Sequence, residues 1–111
     1  MYQELLKLTL TVLDDMKAKA VSSMDVSSIT SISDYMIFAT GNSSRHVRSI
    51  ADKVTESVKK EDHSVVGIEG YETSKWVLID LGDVIVHIMQ EETRSFYMLE
   101  DFWSVGGRSN S

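Results

Sequence analysis

The sequence predicts a single α/β domain, built as a mixed five-stranded sheet with flanking helices. Two observations carry that reading. The stretch WVLIDLGDVIVHIMQ, residues 76–90, is the most apolar and β-branched part of the chain, with Gly82-Asp83 at its middle. Glycine first in a two-residue loop suits a type II′ turn, so the stretch reads as a tight antiparallel hairpin. Upstream, an apolar run, a helical pattern and a second apolar run follow one another as a βαβ unit, which supplies parallel pairing.

In chain order, residues 2–19 read as a helix with Leu6, Leu10, Leu13 and Lys17 at spacings of three and four, flanked by Leu5 and Met16. Residues 21–26 (VSSMDV) form a modest strand candidate, and the serine-rich residues 27–34 read as a loop. YMIFAT, residues 35–40, is almost continuously apolar, as expected of a strand buried on both faces. Gly41 breaks it, and Asn42, Ser43 and Ser44 are all suited to cap a helix running to about Lys60. That helix carries Val47, Ile50, Ala51, Val54 and Val58 on one face. SVVGI, residues 64–68, is the next strand, followed by the polar loop EGYETSK. After the hairpin, residues 91–103 read as a final helix with Phe96, Leu99, Phe102 and Trp103 on its apolar side. The domain is expected to span residues 1–104, with the glycine-rich residues 105–111 as a disordered tail.

The hairpin turn sets its register: Trp76 opposite Met89, Leu78 opposite His87, Asp80 opposite Ile85. Side chains alternate between faces. One face carries Val77, Ile79, Leu81, Val84, Val86 and Ile88 and must be core. The other carries Trp76, Leu78, Asp80, Ile85, His87 and Met89, which is apolar but mixed. A helix or a partner protein would have to cover it, and periodicity leaves both open. Tryptophan and methionine favour interface cores, and Asp80 with Glu69 and Glu72 would give the face an acidic rim.

Composition narrows the options. The 111 residues include no cysteine, which removes disulfides, thiolate metal sites and thiol nucleophiles. The N-terminus lacks a basic region followed by an apolar run, and no apolar run nears the ~20 residues of a membrane helix, so a cytoplasmic protein is expected. The formal net charge of −6 argues against broad electrostatic binding to nucleic acid and suits a basic protein partner.

Three other constellations suggest chemistry. The turn TGNSSRH, residues 40–46, opens a helix and could hold a phosphate with Arg45, but it is neither a G-x-G-x-x-G nor a P-loop, and capping alone explains it. Asp80 and Asp83 could hold a divalent cation, yet no third carboxylate is evidently placed with them. His46, His63 and His87 lack ligand spacing. His46 and His63 read as solvated, and His87 as a partly buried, hydrogen-bonded residue. No catalytic set emerges, and no cofactor or metal is expected. The weight falls on a binding module.

Several stretches together resemble the ribosomal silencing factor family, also called Iojap: SDYMIFATGNSSRHVRSIADKV, GIEGYETSKWVLIDLGDVIVHIMQEETRSFYMLEDFW and the N-terminal helix. The resemblance implies an α/β fold with nucleotidyltransferase-like topology but without catalytic residues. It implies binding to the large ribosomal subunit through ribosomal protein L-fourteen, a steric block to joining of the small subunit, and repression of translation when nutrients are short. Carried onto this chain, the contact surface centres on Trp76, Leu78 and Asp80, with Met89, Glu69, Tyr71 and Tyr97 as further members. A tendency to form homodimers is also implied. The alternative is a nucleotidyltransferase-like enzyme or nucleotide-binding protein, resting on the Gly-Ser turn and the Asp80, Asp83 pair.

Overall fold

The computed structural model describes residues 2–29, 31 and 33–93. In chain order these form α1 (Tyr2–Asp15), β1 (Lys19–Asp25), β2 (Tyr35–Gly41), α2 (Ser44–Lys60), β3 (Gly67–Glu69), β4 (Trp76–Asp80) and β5 (Val84–Gln90). Residues 91–93 open a further helical turn. The rest of the expected final helix, Tyr97 within it and the expected tail at 105–111 lie outside the described residues.

The β4–β5 hairpin forms as its turn dictates. Gly82 takes φ +90°, the left-handed value that the first position of a II′ turn requires, and Asp83 does not. The Leu81 N–H donates to the Val84 carbonyl at 2.9 Å and links the two strands beside the turn. The strands then pair from Asp80–Ile85 to Trp76–Met89 in the expected register.

The five strands make one mixed sheet in the order β1-β2-β5-β4-β3. β2 and β5 run parallel at its centre, and the remaining neighbours are antiparallel. This corrects the local reading of β2, α2 and β3 as one adjacent βαβ unit. β3 lies at the far edge, against β4, because the hairpin inserts between it and β2. β3 is also shorter than the apolar run SVVGI: Ser64, Val65 and Val66 stay outside it, and Val66 is 67% exposed.

Both helices pack on the same face. Leu5, Val12 and Leu13 of α1 and Val47, Ile50, Ala51, Val54 and Val58 of α2 join Ile37, Ala39, Val77, Ile79, Leu81, Val84, Val86 and Ile88 in one buried cluster. Burying one such aliphatic side chain stabilises the fold by ~1.5–3 kcal/mol, so this cluster dominates the stability. The α2 face is the one read from periodicity. α1 is rotated from its expected stripe: Leu5, Thr9, Val12 and Leu13 are buried while Leu6 and Leu10 are only partly so. Thr9 can enter the core because its hydroxyl donates to the Leu5 carbonyl at 2.8 Å. α1 also stops at Asp15, four residues early, where Lys17 turns to φ 61°.

The opposite face carries a smaller buried cluster of Val26, Met36, Phe38, Ile85 and Met89, with Met24, Ile29, Trp76 and Leu78 half-buried against it. β2 is buried on both faces for this reason, as its unbroken apolar run predicts. Val26 and Ile29 belong to the β1–β2 connection, which folds over this side of the sheet. Ser33 fixes that connection by donating from its hydroxyl to the Asp83 carbonyl at 2.7 Å.

Candidate docking face

Residues paired across neighbouring strands share a face. The registers place Glu69 beside Leu78, Leu78 beside His87, His87 beside Phe38, and Phe38 beside Ser22. One row of side chains therefore crosses all five strands on the face away from α1 and α2. Trp76 and Met89 form the next pair along, and Asp80 sits between Gly67 and Ile85 on the other side. The expected residues Trp76, Leu78, Asp80 and Glu69 are thus neighbours on one surface. Trp76, Leu78 and Asp80 are half-buried and Glu69 is exposed.

Two expected members stand differently. Met89 is 0% exposed, so it belongs to the buried cluster that Trp76 packs against and offers no surface of its own. Tyr71 is drawn to the helix layer. Its hydroxyl donates to Asp52 Oδ1 at 2.7 Å, and the Arg48 guanidinium lies 5.7 Å above its ring. The Asp52 hydrogen bond holds the Tyr71 phenol above its ordinary pKa.

Trp76 is held from the sheet side. Its indole N–H donates to His87 Nδ1 at 3.0 Å, and the two rings lie tilted at 40° with centroids 6.0 Å apart. His87 in turn stacks on Phe38, with ring centroids 4.9 Å apart and planes within 9°. His87 is 5% exposed, more deeply buried than its reading as a partly buried, hydrogen-bonded histidine, and the hydrogen bond is present. Burial disfavours the imidazolium and pushes its pKa down to about 4. Since Nδ1 accepts from Trp76, the neutral ring carries its proton on Nε2, and that buried nitrogen has no partner among the described residues. An unpaired buried donor typically costs ~1–3 kcal/mol.

The loop before β4 sets where Trp76 begins. Gly70 adopts φ +77°, and a Cβ there would overlap the Trp76 carbonyl oxygen, so glycine is required. The Ser74 N–H donates to the Gly70 carbonyl at 3.0 Å and its hydroxyl to the Tyr71 carbonyl at 2.6 Å. The Gln90 backbone N–H donates to the Lys75 carbonyl at 3.0 Å, tying the loop to the end of β5. On the α2 side, Arg48 donates to the Glu72 carbonyl at 3.0 Å. Arg48, Gly70 and Ser74 escape a reading by sequence pattern. Only the glycine carries a local cue, its place in a polar loop.

The other constellations resolve into structural roles. Ser43 is the α2 cap, its hydroxyl accepting from the His46 N–H at 3.1 Å. His46 is not simply solvated: Nδ1 accepts from the Asn42 N–H at 2.9 Å, and Nε2 lies 2.8 Å from the Met16 carbonyl. The ring therefore pins the start of α2 to the end of α1. Asp80 Oδ1 accepts from the Gly82 N–H at 2.8 Å and braces the hairpin turn. Among the described residues no group of three or more histidines, aspartates or glutamates stands close enough to hold a metal ion. None of their helices is long and apolar enough to cross a membrane.

The surface that remains is an apolar anchor with carboxylates at its edge, suited to a protein partner. Comparison with known proteins identifies the family. The model of the family described as ribosomal silencing factor during starvation matches residues 1–110. A ribosomal silencing factor from Chromobacterium violaceum is 41% identical over 109 residues, covering 98% of this chain and 88% of that protein. A crystal structure of a protein from the same organism superposes with a TM-score of 0.92 at 40% identity, covering 94% of this chain and 87% of that one. A more distant mouse relative, named for mitochondrial assembly of the ribosomal large subunit, is 32% identical over 75 residues, which is 65% of this chain and 33% of that protein. The chain belongs to the ribosomal silencing factor family.

Proposed function

We propose that this protein docks on the large ribosomal subunit through ribosomal protein L-fourteen, bars the small subunit from joining by occupancy, and so represses translation under nutrient limitation. The observation that carries the reading is the Trp76, Leu78, Glu69 and Asp80 surface, which lies on the sheet face that neither α1 nor α2 covers. A half-buried tryptophan flanked by carboxylates matches the anatomy of an interface anchor and its rim. The net charge of −6 favours encounter with a basic ribosomal protein. The mouse relative's name, which refers to the large subunit, agrees with the choice of partner. The site of action is the cytoplasm, and no chemistry is required of the protein.

Cosedimentation with purified large subunits tests the face. Trp76→Ala removes the anchor, and Glu69→Lys reverses a rim charge whose side chain is exposed. Each should bind more weakly, Trp76→Ala by ~2 kcal/mol or about thirtyfold. Wild-type binding by both folded variants would show that another surface docks. A gradient assay of subunit joining tests the block: saturating protein should deplete joined ribosomes, and failure to do so would sink the mechanism.

A further inference from the structure

We propose that His87 is the positioning residue of this docking face: its Nδ1 holds the Trp76 indole in the orientation a partner meets, and Phe38 holds the His87 ring. The inference rests on the docking reading above and adds how the anchor is kept ready.

Trp76 is only half-buried, and a side chain that must be immobilised on binding weakens the complex. Fixing the ring beforehand removes that cost. The bond from the indole N–H to His87 Nδ1 ties the ring to a neighbouring strand of the same sheet face. His87 is itself immobile. It is 5% exposed and stacked on Phe38, which is fully buried at the centre of the sheet.

Nε2, which has no partner among the described residues, makes the case for a histidine at this position. A phenylalanine would continue the stack on Phe38 without burying an unpaired N–H. Packing alone therefore argues against His87, and what it contributes that phenylalanine lacks is the acceptor on Trp76. A residue that breaks a local packing rule with an identifiable gain at a binding surface is where function is expected to show.

Two variants separate the roles. His87→Phe keeps the stack and deletes the acceptor, and His87→Asn places an oxygen where Nδ1 stood. With His87→Phe, affinity for purified large subunits should fall about tenfold, the range expected when one anchor side chain must be ordered on binding. Its urea midpoint should stay close to that of the wild type, because removing the orphan N–H offsets the loss of the Trp76 hydrogen bond. In a 15N–1H spectrum the Trp76 indole peak, assigned by its absence from Trp76→Phe, should move upfield and exchange faster with water. His87→Asn should restore affinity to within about threefold. A folded His87→Phe protein that binds as tightly as the wild type overturns the inference and leaves the docking reading intact. If Trp76→Ala also binds like the wild type, the docking reading itself has failed. Should His87→Phe not fold, 3-benzothienylalanine in place of Trp76 keeps the shape and removes the N–H. The same tenfold loss would support the inference, and unchanged affinity would overturn it.

Discussion

Gly70 stands so close to the Trp76 carbonyl oxygen that any Cβ at position 70 would occupy the same space. Its backbone also sits at φ +77°, a conformation L side chains rarely adopt. Gly70→Ala therefore meets both a steric and a conformational obstacle. A loss of at least ~2 kcal/mol is expected, with the start of β4 displaced. Urea unfolding checks it: the midpoint should fall with the slope unchanged.

Met89 lies fully buried opposite Trp76 on the neighbouring strand. Met89→Ala should lower stability by about 2–4 kcal/mol, the usual cost of a cavity in a core. Met89→Leu conserves volume and should recover most of it. Trp76→Ala, at a half-buried position, should cost less stability and more affinity. Paired urea and cosedimentation measurements on the three proteins would separate a supporting residue from a contacting one.

His87 makes stability depend on pH. Its folded pKa, about 4, lies below the ordinary value of 6.5, so the unfolded chain binds the proton more readily. The contribution is complete above pH 6.5 and is lost as pH falls toward 4. Over that window the loss amounts to roughly 3 kcal/mol from this group. Urea midpoints of the wild type should drop between pH 6.5 and 4.5 more steeply than those of His87→Phe. Parallel curves would show that His87 does not carry the effect.

Asp80 braces the hairpin turn, and the proposed docking gives it a second purpose that a pair of substitutions can divide from the first. Asp80→Asn keeps an oxygen for the Gly82 N–H and deletes the charge. Its stability should stay within about 0.5 kcal/mol of the wild type while its affinity for large subunits falls. Asp80→Ala loses the turn brace as well and should cost ~1 kcal/mol more in thermal or urea unfolding.

Local patterns reported local structure faithfully. A two-residue turn at Gly82-Asp83 forces every pair from Asp80–Ile85 to Trp76–Met89, so the hairpin and its two faces were legible without coordinates. The five buried residues of α2 follow from helical spacing alone. What the chain's order hides is insertion. Nothing in residues 35–68 says that β4 and β5 will slide between β2 and β3, because that choice belongs to the finished sheet. The site was legible in part for the same reason. Trp76, Leu78, Asp80 and Glu69 share a face by register. The burial of Met89, and the pull of Arg48 and Asp52 on Tyr71, arise from contacts between distant segments.

The parallel seam between β2 and β5 also bears on how the chain comes into being. Its two strands are separated by about fifty residues, so the central pairing closes late and slowly. Until Val84 to Gln90 has been synthesised, β2 can pair only with β1, and β4 only with β3. Each is a two-stranded piece, a form of marginal stability in water. The nascent protein thus carries the apolar strand YMIFAT without its central partner while residues 41–90 are made, and fragments ending before β5 are expected to aggregate rather than fold.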